Sequence, residues 1–404
     1  MSLSRSLQKS QELLTQTAFL GALCLFFATL EYLFPKPMPF FRIGLANLPI
    51  LLSLEILPFP YLMLLALLKV LGQGLINGTL ASYVILFSFS GTFLSLFAMY
   101  AVRRVPGLSF IGISIIGALF SNAAQIILSL LIVFGFNAGY IIPYFLTMGI
   151  ISGTAMGIFA NWFSAQSKWY RAMVHKEIFR IAGKKDSCNK NTAEKRSRDY
   201  IGTFLHPQIR FFIGLLLLIP LFFQEVLLLK LLHVVTLGIL CKLSGKRIYY
   251  IYFLNLLIWI TLFQLLSPFG QVLLDLKIIT ITKGALLSGF NKSLLLIGLV
   301  FTSLFSVSPG LKFPGRLGGV LTEMFYFYEE LYSGKGRIKR KSFIADVDFL
   351  LAEILNSPMK THGTNKGIFS TSSAPGRKKT VLLTSLIFIF YYALLVLGKF
   401  FPNR

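Results

Sequence analysis

The chain has 404 residues, of which 55% are hydrophobic and only 13% are charged, and its formal net charge is +24. A soluble globular protein exposes far more charge, so this composition excludes that class. Strong positive charge also suits nucleic-acid binding, but ten of the 39 Lys and Arg residues lie between Lys168 and Arg198, and ten more between Lys335 and Lys379. Cytosolic loops beside membrane spans retain such charge. We therefore expect a membrane protein that contacts lipid head groups and binds no nucleic acid.

Two long hydrophobic blocks, residues 15–166 and 206–308, flank a polar and basic stretch. This layout predicts two membrane modules joined by a cytosolic connector, because the connector carries the cationic excess expected on the inner side. We accordingly divide the chain into a membrane domain at 1–167, a basic linker at 168–205 and a second membrane domain at 206–404.

The first block divides into six apolar segments when it is measured against the roughly 20 residues that a membrane span needs. Proline and glycine separate the segments, for example at Pro58 and at Pro106-Gly107. The polar residues 1–16 lack a small-residue cleavage site, so we expect a retained first span with its N-terminus in the cytosol. The segments are 16–34, 45–57 (short), 60–76, 82–102, 108–134 and 139–166.

The rest of the chain predicts about five further spans and two surface helices. The surface helices fall in a long charged stretch, 306–379, where apolar residues recur at helical spacing over 317–332 and 343–355. Such helices lie on a membrane surface or pack on a partner, and they are too polar to span. We expect an all-α polytopic membrane protein with eleven spans. The five later spans are 208–223, 226–243, 248–267, 284–305 and 380–398.

Recognisable catalytic and metal-binding motifs are missing from the sequence. There is no Walker A loop, no HExxH and no aspartate-rich cluster that could hold magnesium against a diphosphate, and the three cysteines are far apart. We therefore expect a protein that is not itself an enzyme and that binds neither metal nor cofactor. Any ATP-driven work would require separate ATPase chains.

Polar residues inside the first block are the best candidates for a binding site. Intramembrane polar groups are costly and usually face a cavity or a partner helix. Taken singly, each is better explained as a hydrogen bond between helices. Taken together, they predict a substrate-binding pocket that opens outward, where Asn137 and Tyr140 also lie near helix ends. The candidate substrate-binding residues are Arg42, Asn47, Gln73, Asn77, Asn122 and Gln125.

The first span also carries small residues at a spacing of four, Ala18 and Ala22, with Gly21 between them. Small residues at this spacing allow a neighbouring helix to approach closely. Ordinary internal packing explains the same pattern, so the spacing alone does not identify a partner.

The first module resembles a substrate-binding S-component of the energy-coupling factor transporters. The resemblance covers about 14–167 and rests on six hydrophobic segments and on the stretch Phe41-Arg42-Ile43-Gly44-Leu45-Ala46-Asn47-Leu48-Pro49-Ile50. More narrowly, it is similar to the Gx transporter group, often labelled heptaprenyl diphosphate synthase component I. The resemblance implies that the outer helix ends enclose a small molecule. It also implies that Ala18, Gly21 and Ala22 form the face that docks the transducing subunit.

The second module looks like the transmembrane T-component of the same transporters over about 204–400. His206-Pro207-Gln208-Ile209-Arg210 resembles the entry to its first helix, and residues 279–289 resemble the opening of its fourth. The paired Ala-Arg-Gly motifs that contact the ATPases in that family are absent as such. Gly336-Arg337-Ile338 and Gly376-Arg377-Lys378 are the nearest substitutes, so Arg337 and Arg377 are the candidate ATPase-coupling residues. Plain cytosolic charge explains them equally well.

These resemblances imply a fused S- and T-component of a bacterial vitamin- or cofactor-type importer in the cytoplasmic membrane. Its expected partners are two ABC-type ATPase subunits and a small-molecule substrate. Two alternatives remain open: a membrane component of an isoprenoid diphosphate synthase, as the group's label suggests, and a carrier that is not coupled to ATP.

Overall fold

The computed structural model describes residues 2–31, 44–77, 79–80, 82–134, 142–175, 201, 205, 207–246, 248, 250–265, 269–275, 280–307, 315–334, 343–356 and 377–400. Within these residues the chain folds into fourteen α-helices and one two-stranded hairpin. Six of those helices are long and apolar enough to cross a membrane. The protein is therefore an all-α polytopic membrane protein, as predicted.

The N-terminal half is a helical bundle whose turns fall at the predicted breakers. Pro58 directly precedes α3, and Gly107 turns the chain between α4 and α5 with a φ of 81°. The Ser82 hydroxyl caps α4 by accepting a hydrogen bond from the Val84 N–H at 3.2 Å. The elements are α1 (Ser2–Glu31), a 3-10 turn (Leu45–Asn47), α2 (Leu48–Ser53), α3 (Phe59–Asn77), α4 (Tyr83–Val102), α5 (Phe110–Leu128), a π-helical turn (Ser129–Phe134), α6 (Ile142–Gln166) and α7 (Lys168–His175).

The predicted segment 45–57 does not cross a membrane. Its only α-helix, α2, has six residues and is therefore about 9 Å long, whereas the apolar core of a bilayer is about 30 Å thick. All six residues of α2 are buried against other helices. The segment is apolar because it is enclosed in the bundle.

The C-terminal half has a helix at each of the five predicted spans and at both predicted surface helices. Among these described helices, α11 is long and apolar enough to cross a membrane, and three of the others contain only shorter apolar stretches, so six of the eleven predicted spans meet that criterion in the described residues. This half also contains a short antiparallel hairpin between α10 and α11, which the sequence did not indicate and which pairs Val272 with Thr282 and Asp275 with Thr280. The elements are α8 (Pro207–Phe223), α9 (Leu227–Leu243), α10 (Tyr250–Leu265), β1 (Val272–Asp275), β2 (Thr280–Thr282), α11 (Lys283–Ser306), α12 (Gly315–Gly334), α13 (Phe343–Asn356) and α14 (Arg377–Phe400).

Helix α11 forms the centre of the C-terminal half, where it packs against α8, α9 and α10. Close approach depends on small residues: a Cβ at Gly298 would lie 2.7 Å from Leu221 Cδ1, and one at Gly289 would lie 2.8 Å from the Thr261 backbone. Several buried hydroxyls of α11, such as Thr302, donate to the carbonyl four residues earlier in the same helix.

Two apolar cores connect the halves. The first joins the N-terminal bundle to α12 and α13, with α1 packed between α3 and α12. The second joins Tyr83, Phe87 and Phe145 of the N-terminal half to α8, α9, α10, α11 and α14. Large apolar side chains such as Ile151 and Ile389 remain exposed on the outer faces, as expected of surfaces that contact lipid.

Candidate functional site

A polar cavity lies inside the N-terminal bundle. Its walls come from α1, the 3-10 turn, α2 and helices α3 to α6, and its volume is about 60 Å³. A single water molecule needs roughly 10–15 Å³ by this measure, so the cavity has room for several waters or part of a small solute. Hydroxyl, amide and charged side chains line much of it, which distinguishes it from the empty apolar cavities of protein cores.

Lys69 is the most informative residue of the cavity. It is 3% exposed and is the only charged residue of α3. Its ammonium group donates to Asn47 Oδ1 and to Thr92 Oγ1, the latter at 2.9 Å. An ionisable residue within a membrane helix is costly and marks a functional site by default. Lys69 was missed among the candidates, although its isolation in an uncharged segment was a sufficient signal.

Glu31 is the second charged residue that lines the cavity. It ends α1 and is 5% exposed. Glu31 falls near the end of the first predicted span, 16–34. The structure buries it because the cavity lies directly beside the last turn of α1.

Hydroxyl groups cover the α4 and α5 walls. Ser88, Thr92 and Ser95 recur every three or four residues on α4, and Ser114 and Ser121 face them from α5. The two helices approach closely, since a Cβ at Gly91 would lie 2.9 Å from Ser121 Oγ. The regular spacing of the α4 hydroxyls is also visible in the sequence, but it indicates a functional site less strongly than a charged residue in an apolar segment does.

Five of the six candidate binding residues line this cavity: Asn47, Gln73, Asn77, Asn122 and Gln125. The sixth, Arg42, lies outside the described residues, as do Asn137 and Tyr140.

The amide side chains of the cavity are held by its walls. Gln73 Oε1 accepts from the Ser88 hydroxyl at 3.4 Å, and Asn122 Nδ2 donates to the Phe145 carbonyl at 2.5 Å. Gln125 Nε2 donates to Ser121 Oγ at 3.3 Å. Gln125 Oε1 is buried and has no hydrogen-bond partner among the residues that the structure describes. Gln125 Oε1 is therefore a buried acceptor to which a water or a solute can donate.

The small-residue face of α1 packs against α12 of the C-terminal half. Ala18 and Ala22 are fully buried, and a Cβ at Gly21 would lie 2.9 Å from Met324 Sδ. A Cβ at Gly72 of α3 would lie 2.6 Å from Met324 Cε. Met324 therefore fills a groove between α1 and α3 that exists only because both glycines lack a side chain.

Further contacts extend the packing of α12 along α1. The Phe19 and Phe327 rings lie 5.4 Å apart in an edge-to-face arrangement, and the hydroxyls of Thr29 and Tyr328 are 2.9 Å apart. These contacts continue to the end of α1 that lines the cavity.

A buried carboxylate of α13 joins the halves at a second place. Asp348 Oδ1 accepts from the Ser167 hydroxyl at 2.5 Å, and Asp348 Oδ2 accepts from the Lys168 N–H at 2.7 Å. Asp348 thus caps the N-terminus of α7, where free N–H groups and the helix dipole favour an anion. Nothing in the sequence indicated this contact, because its partners are about 180 residues apart.

Tyr170 links α7 to the segment around α2. Its hydroxyl lies 2.8 Å from Glu55 Oε2 and 3.2 Å from the Leu52 carbonyl, and it shares its proton with these acceptors. Burial and the neighbouring Glu55 carboxylate raise the pKa of the Tyr170 hydroxyl above its ordinary value, so it remains a donor. A chain of contacts therefore connects Asp348, through α7, to the segment whose Leu48 and Leu51 line the cavity.

The two candidate ATPase-coupling residues fall where the structure describes no side chain. Arg337 lies outside the described residues, and so does the side chain of Arg377, which begins α14. A different arginine, Arg210, is fully buried in the C-terminal half and donates to the Phe305 carbonyl. Arg210 belongs to α8, the first helix of the C-terminal half.

Comparison with known proteins finds two family models, one in each half. Residues 20–163 match the family described as Heptaprenyl diphosphate synthase component I, and residues 206–308 match a Domain of unknown function (DUF8519). No curated protein and no solved structure matches the chain. Every residue that lines the polar cavity lies within 20–163, so the cavity is a feature of the part that is similar to the heptaprenyl diphosphate synthase component I family.

Proposed function

We propose that the chain is the membrane subunit of an ATP-driven importer of the energy-coupling factor type in a bacterial cytoplasmic membrane. The N-terminal half binds a small vitamin- or cofactor-like solute in the polar cavity. The C-terminal half connects that cavity to two separate ABC-type ATPase subunits in the cytosol, which bind and hydrolyse the ATP. The chain itself performs no chemical reaction.

One observation carries this proposal: α12 packs on the two helices that carry the charged residues of the cavity. Met324 lies beside Gly72, three residues after Lys69 on α3, and beside Gly21 on α1, which ends at Glu31. A displacement of α12 therefore moves two cavity walls at once. Such a displacement can change the affinity for the solute only if the contacts of α12 differ between two arrangements of the protein. The contact of Met324 with the two glycines can be made in one arrangement and lost in the other.

The family description favours a second candidate, a membrane component of a heptaprenyl diphosphate synthase. The two candidates differ in the proteins that they require. An importer needs ATP-binding-cassette subunits on its cytosolic face, whereas a synthase component needs a soluble prenyl-synthase subunit.

The deciding experiment is purification of the tagged full-length chain in mild detergent from its native host, followed by identification of the proteins that co-purify. We expect two ATP-binding-cassette subunits, retained after a high-salt wash. A prenyl-synthase subunit in their place, with no ATPase, would overturn the importer and support the second candidate.

A further inference from the structure

A groove lies at one end of the N-terminal bundle and shares no lining residue with the polar cavity. It is found where the apolar span of α1 begins, where α4 ends and where α5 begins, so it borders three helices that are long enough to cross a membrane. Its volume is about 730 Å³, within the range of roughly 300–1,000 Å³ that is common for ligand sites. The groove therefore has room for a sizeable chemical group at the level where the spans end.

Three cationic side chains line this groove: Lys9, Arg103 and Arg104. Arg103 is held in place, because its Nη1 donates to the Leu54 carbonyl at 3.1 Å and its guanidinium carbon lies 3.8 Å from the centre of the Tyr100 ring. Lys9 and Arg104 are exposed and form no hydrogen bond or ion pair with another residue that the structure describes. Both can turn towards a ligand, and Arg103 keeps further N–H donors for it.

One carboxylate, that of Glu55, lines the groove as well. Its Oε2 accepts a hydrogen bond from the Tyr170 hydroxyl at 2.8 Å, which connects it to α7. Glu12 lies one turn after Lys9 on α1, but it does not line the groove. Three cations against one carboxylate leave an excess of positive charge among the described lining residues, so the groove attracts an anion.

Apolar side chains form much of the remaining surface of the groove. Leu13 comes from the span of α1, Ile113 from α5 and Val174 from α7. These side chains give a small inorganic anion no hydrogen bond, whereas a hydrocarbon chain gains free energy by covering them. A ligand that matches both parts of the groove carries an anionic group next to an apolar one.

A phospholipid with a net negative head group has this combination. Its phosphate lies at the membrane surface, where the spans end, and basic pockets between membrane helices bind anionic head groups on the cytosolic side. The cationic residues predict that this end of the bundle faces the cytosol. The linker of the chain itself does not match the charge of the groove, because residues 176–200 contain eight Lys and Arg but only four Asp and Glu.

We propose that this groove is a binding site for an anionic phospholipid. Lys9, Arg103 and Arg104 hold the phosphate, and an acyl chain lies against Leu13 and Ile113. The lipid also contacts the segment 54–58, which forms one wall of the groove. The site is outside the polar cavity and does not depend on what that cavity binds.

The test measures how defined lipids bind to the purified full-length chain after its own lipids have been removed in detergent. Phosphatidylglycerol and phosphatidylcholine with identical acyl chains are added separately, and native mass spectrometry counts the lipids bound at each concentration. Glycerol 3-phosphate is a third ligand, which has a phosphate but no acyl chain. We expect one preferred site for phosphatidylglycerol, much weaker binding of phosphatidylcholine, and no binding of glycerol 3-phosphate over the same concentrations.

A double variant, Lys9→Gln with Arg104→Gln, should weaken the binding of phosphatidylglycerol. Each cation near an anionic head group contributes about fivefold to the affinity, so we expect a loss of roughly 20-fold. Lys168→Gln with Lys242→Gln is the matched control, because both lysines are exposed and lie outside the groove and their removal changes the net charge by the same amount. This control should bind phosphatidylglycerol as the wild type does.

Several outcomes would overturn the proposed lipid site. Equal losses in the two double variants would mean that general attraction between a basic protein and an anionic lipid explains the binding. Equal binding of the two lipids, or no binding of phosphatidylglycerol, would remove the role assigned to the cations. Binding of glycerol 3-phosphate as tight as that of phosphatidylglycerol would assign the groove to a soluble phosphate. Loss of a co-purifying protein from the groove variant, with unchanged lipid binding, would assign it to a protein partner.

Discussion

A lysine in a membrane helix needs hydrogen-bond acceptors from neighbouring elements, as Lys69 shows. Placing a lysine at the centre of a span costs about 2.5–3.5 kcal/mol in insertion experiments. Asn47 and Thr92 offset part of that cost by accepting hydrogen bonds from the ammonium. The three residues belong to the 3-10 turn, α3 and α4, so one charge orders three elements around the cavity.

Thr92→Val tests this dependence with almost no change of side-chain shape. The variant removes the hydroxyl that accepts from Lys69, and a hydrogen bond to a charged group contributes about 1.5–3 kcal/mol. We expect a loss of that size in the free energy of unfolding when Lys69 is present, and a much smaller loss in a Lys69→Met background. Chemical unfolding of all four forms in mixed micelles measures the coupling.

Thr302→Val is the control for the comparison of Thr92→Val with and without Lys69. The Thr302 hydroxyl bonds only to the Gly298 carbonyl of its own helix, at 2.8 Å among the described contacts, so its removal should cost the same in both backgrounds. Equal costs for Thr92→Val in both backgrounds would show that the ammonium does not depend on this hydroxyl.

At the scale of elements, α7 is a helix that depends on its surroundings. It has eight residues, and isolated helices shorter than about 12 residues are marginal in water. Its N-terminus is capped by Asp348 from the other half, and its face is held by Tyr170 against the segment around α2. The helix therefore forms where both halves meet.

Asp348→Asn should loosen α7 specifically. The amide is nearly isosteric, but it replaces a charged acceptor of two hydrogen bonds by a neutral group with one acceptor oxygen, at a cost of about 1–3 kcal/mol. We expect faster hydrogen exchange at the α7 amides and faster tryptic cleavage after Lys168 and Arg171. Glu323→Gln on α12 is the matched carboxylate-to-amide control and should leave both rates unchanged. Wild-type rates in Asp348→Asn would mean that packing alone holds α7.

The elements also show which parts of the fold a sequence can predict. The bounds of α3, α4, α8 and α9 lie within a few residues of the predicted spans, because each apolar run ends at proline, glycine or a polar pair. The segment 45–57 was wrong as a span, since apolarity does not distinguish a buried helix from a lipid-facing one. The β1–β2 hairpin was missed because strands of four and three residues carry no clear periodicity.

The candidate site could also be predicted only in part, because a sequence shows conspicuous residue types but not the contacts between residues far apart in the chain. Amides inside apolar runs are conspicuous, so Asn47, Gln73 and Gln125 were found, whereas the more conspicuous Lys69 was passed over in favour of the amides. The Asp348 contact with α7 could not be found from one sequence, because no local pattern relates a carboxylate to a helix start so far away in the chain.

At the scale of the whole molecule, the halves are joined both covalently and by packing. A tether raises the effective concentration of one half for the other without adding a contact. The α1–α12 groove and the Asp348 cap provide contacts of their own. If the halves move against each other during the proposed transport, the packed contacts must be strong enough to assemble them and weak enough to rearrange.

Cleavage of the linker, 168–205, distinguishes the contribution of the covalent connection from that of the packed contacts. A protease site inserted at 186–196 allows the purified chain to be cut, and gel filtration then shows whether the halves remain together. We expect them to co-elute in the wild type. Gly21→Leu should separate them, because a leucine at this position would overlap Met324, which already lies 2.9 Å from a single added Cβ. Met324→Ala should restore co-elution in the Gly21→Leu chain by making room for the leucine.

Gly319→Leu adds the same side chain to a glycine of α12 with open space around its Cβ, so its cut halves should still co-elute. Separation of the cut wild type would show that the tether, and not the groove, holds the molecule together. Separation of Gly21→Leu with rescue by Met324→Ala would instead place the mechanical connection between the halves at the groove itself. The same contact would then determine how a displacement of α12 reaches Lys69, because α3 carries both Gly72 of the groove and the ammonium group of the cavity.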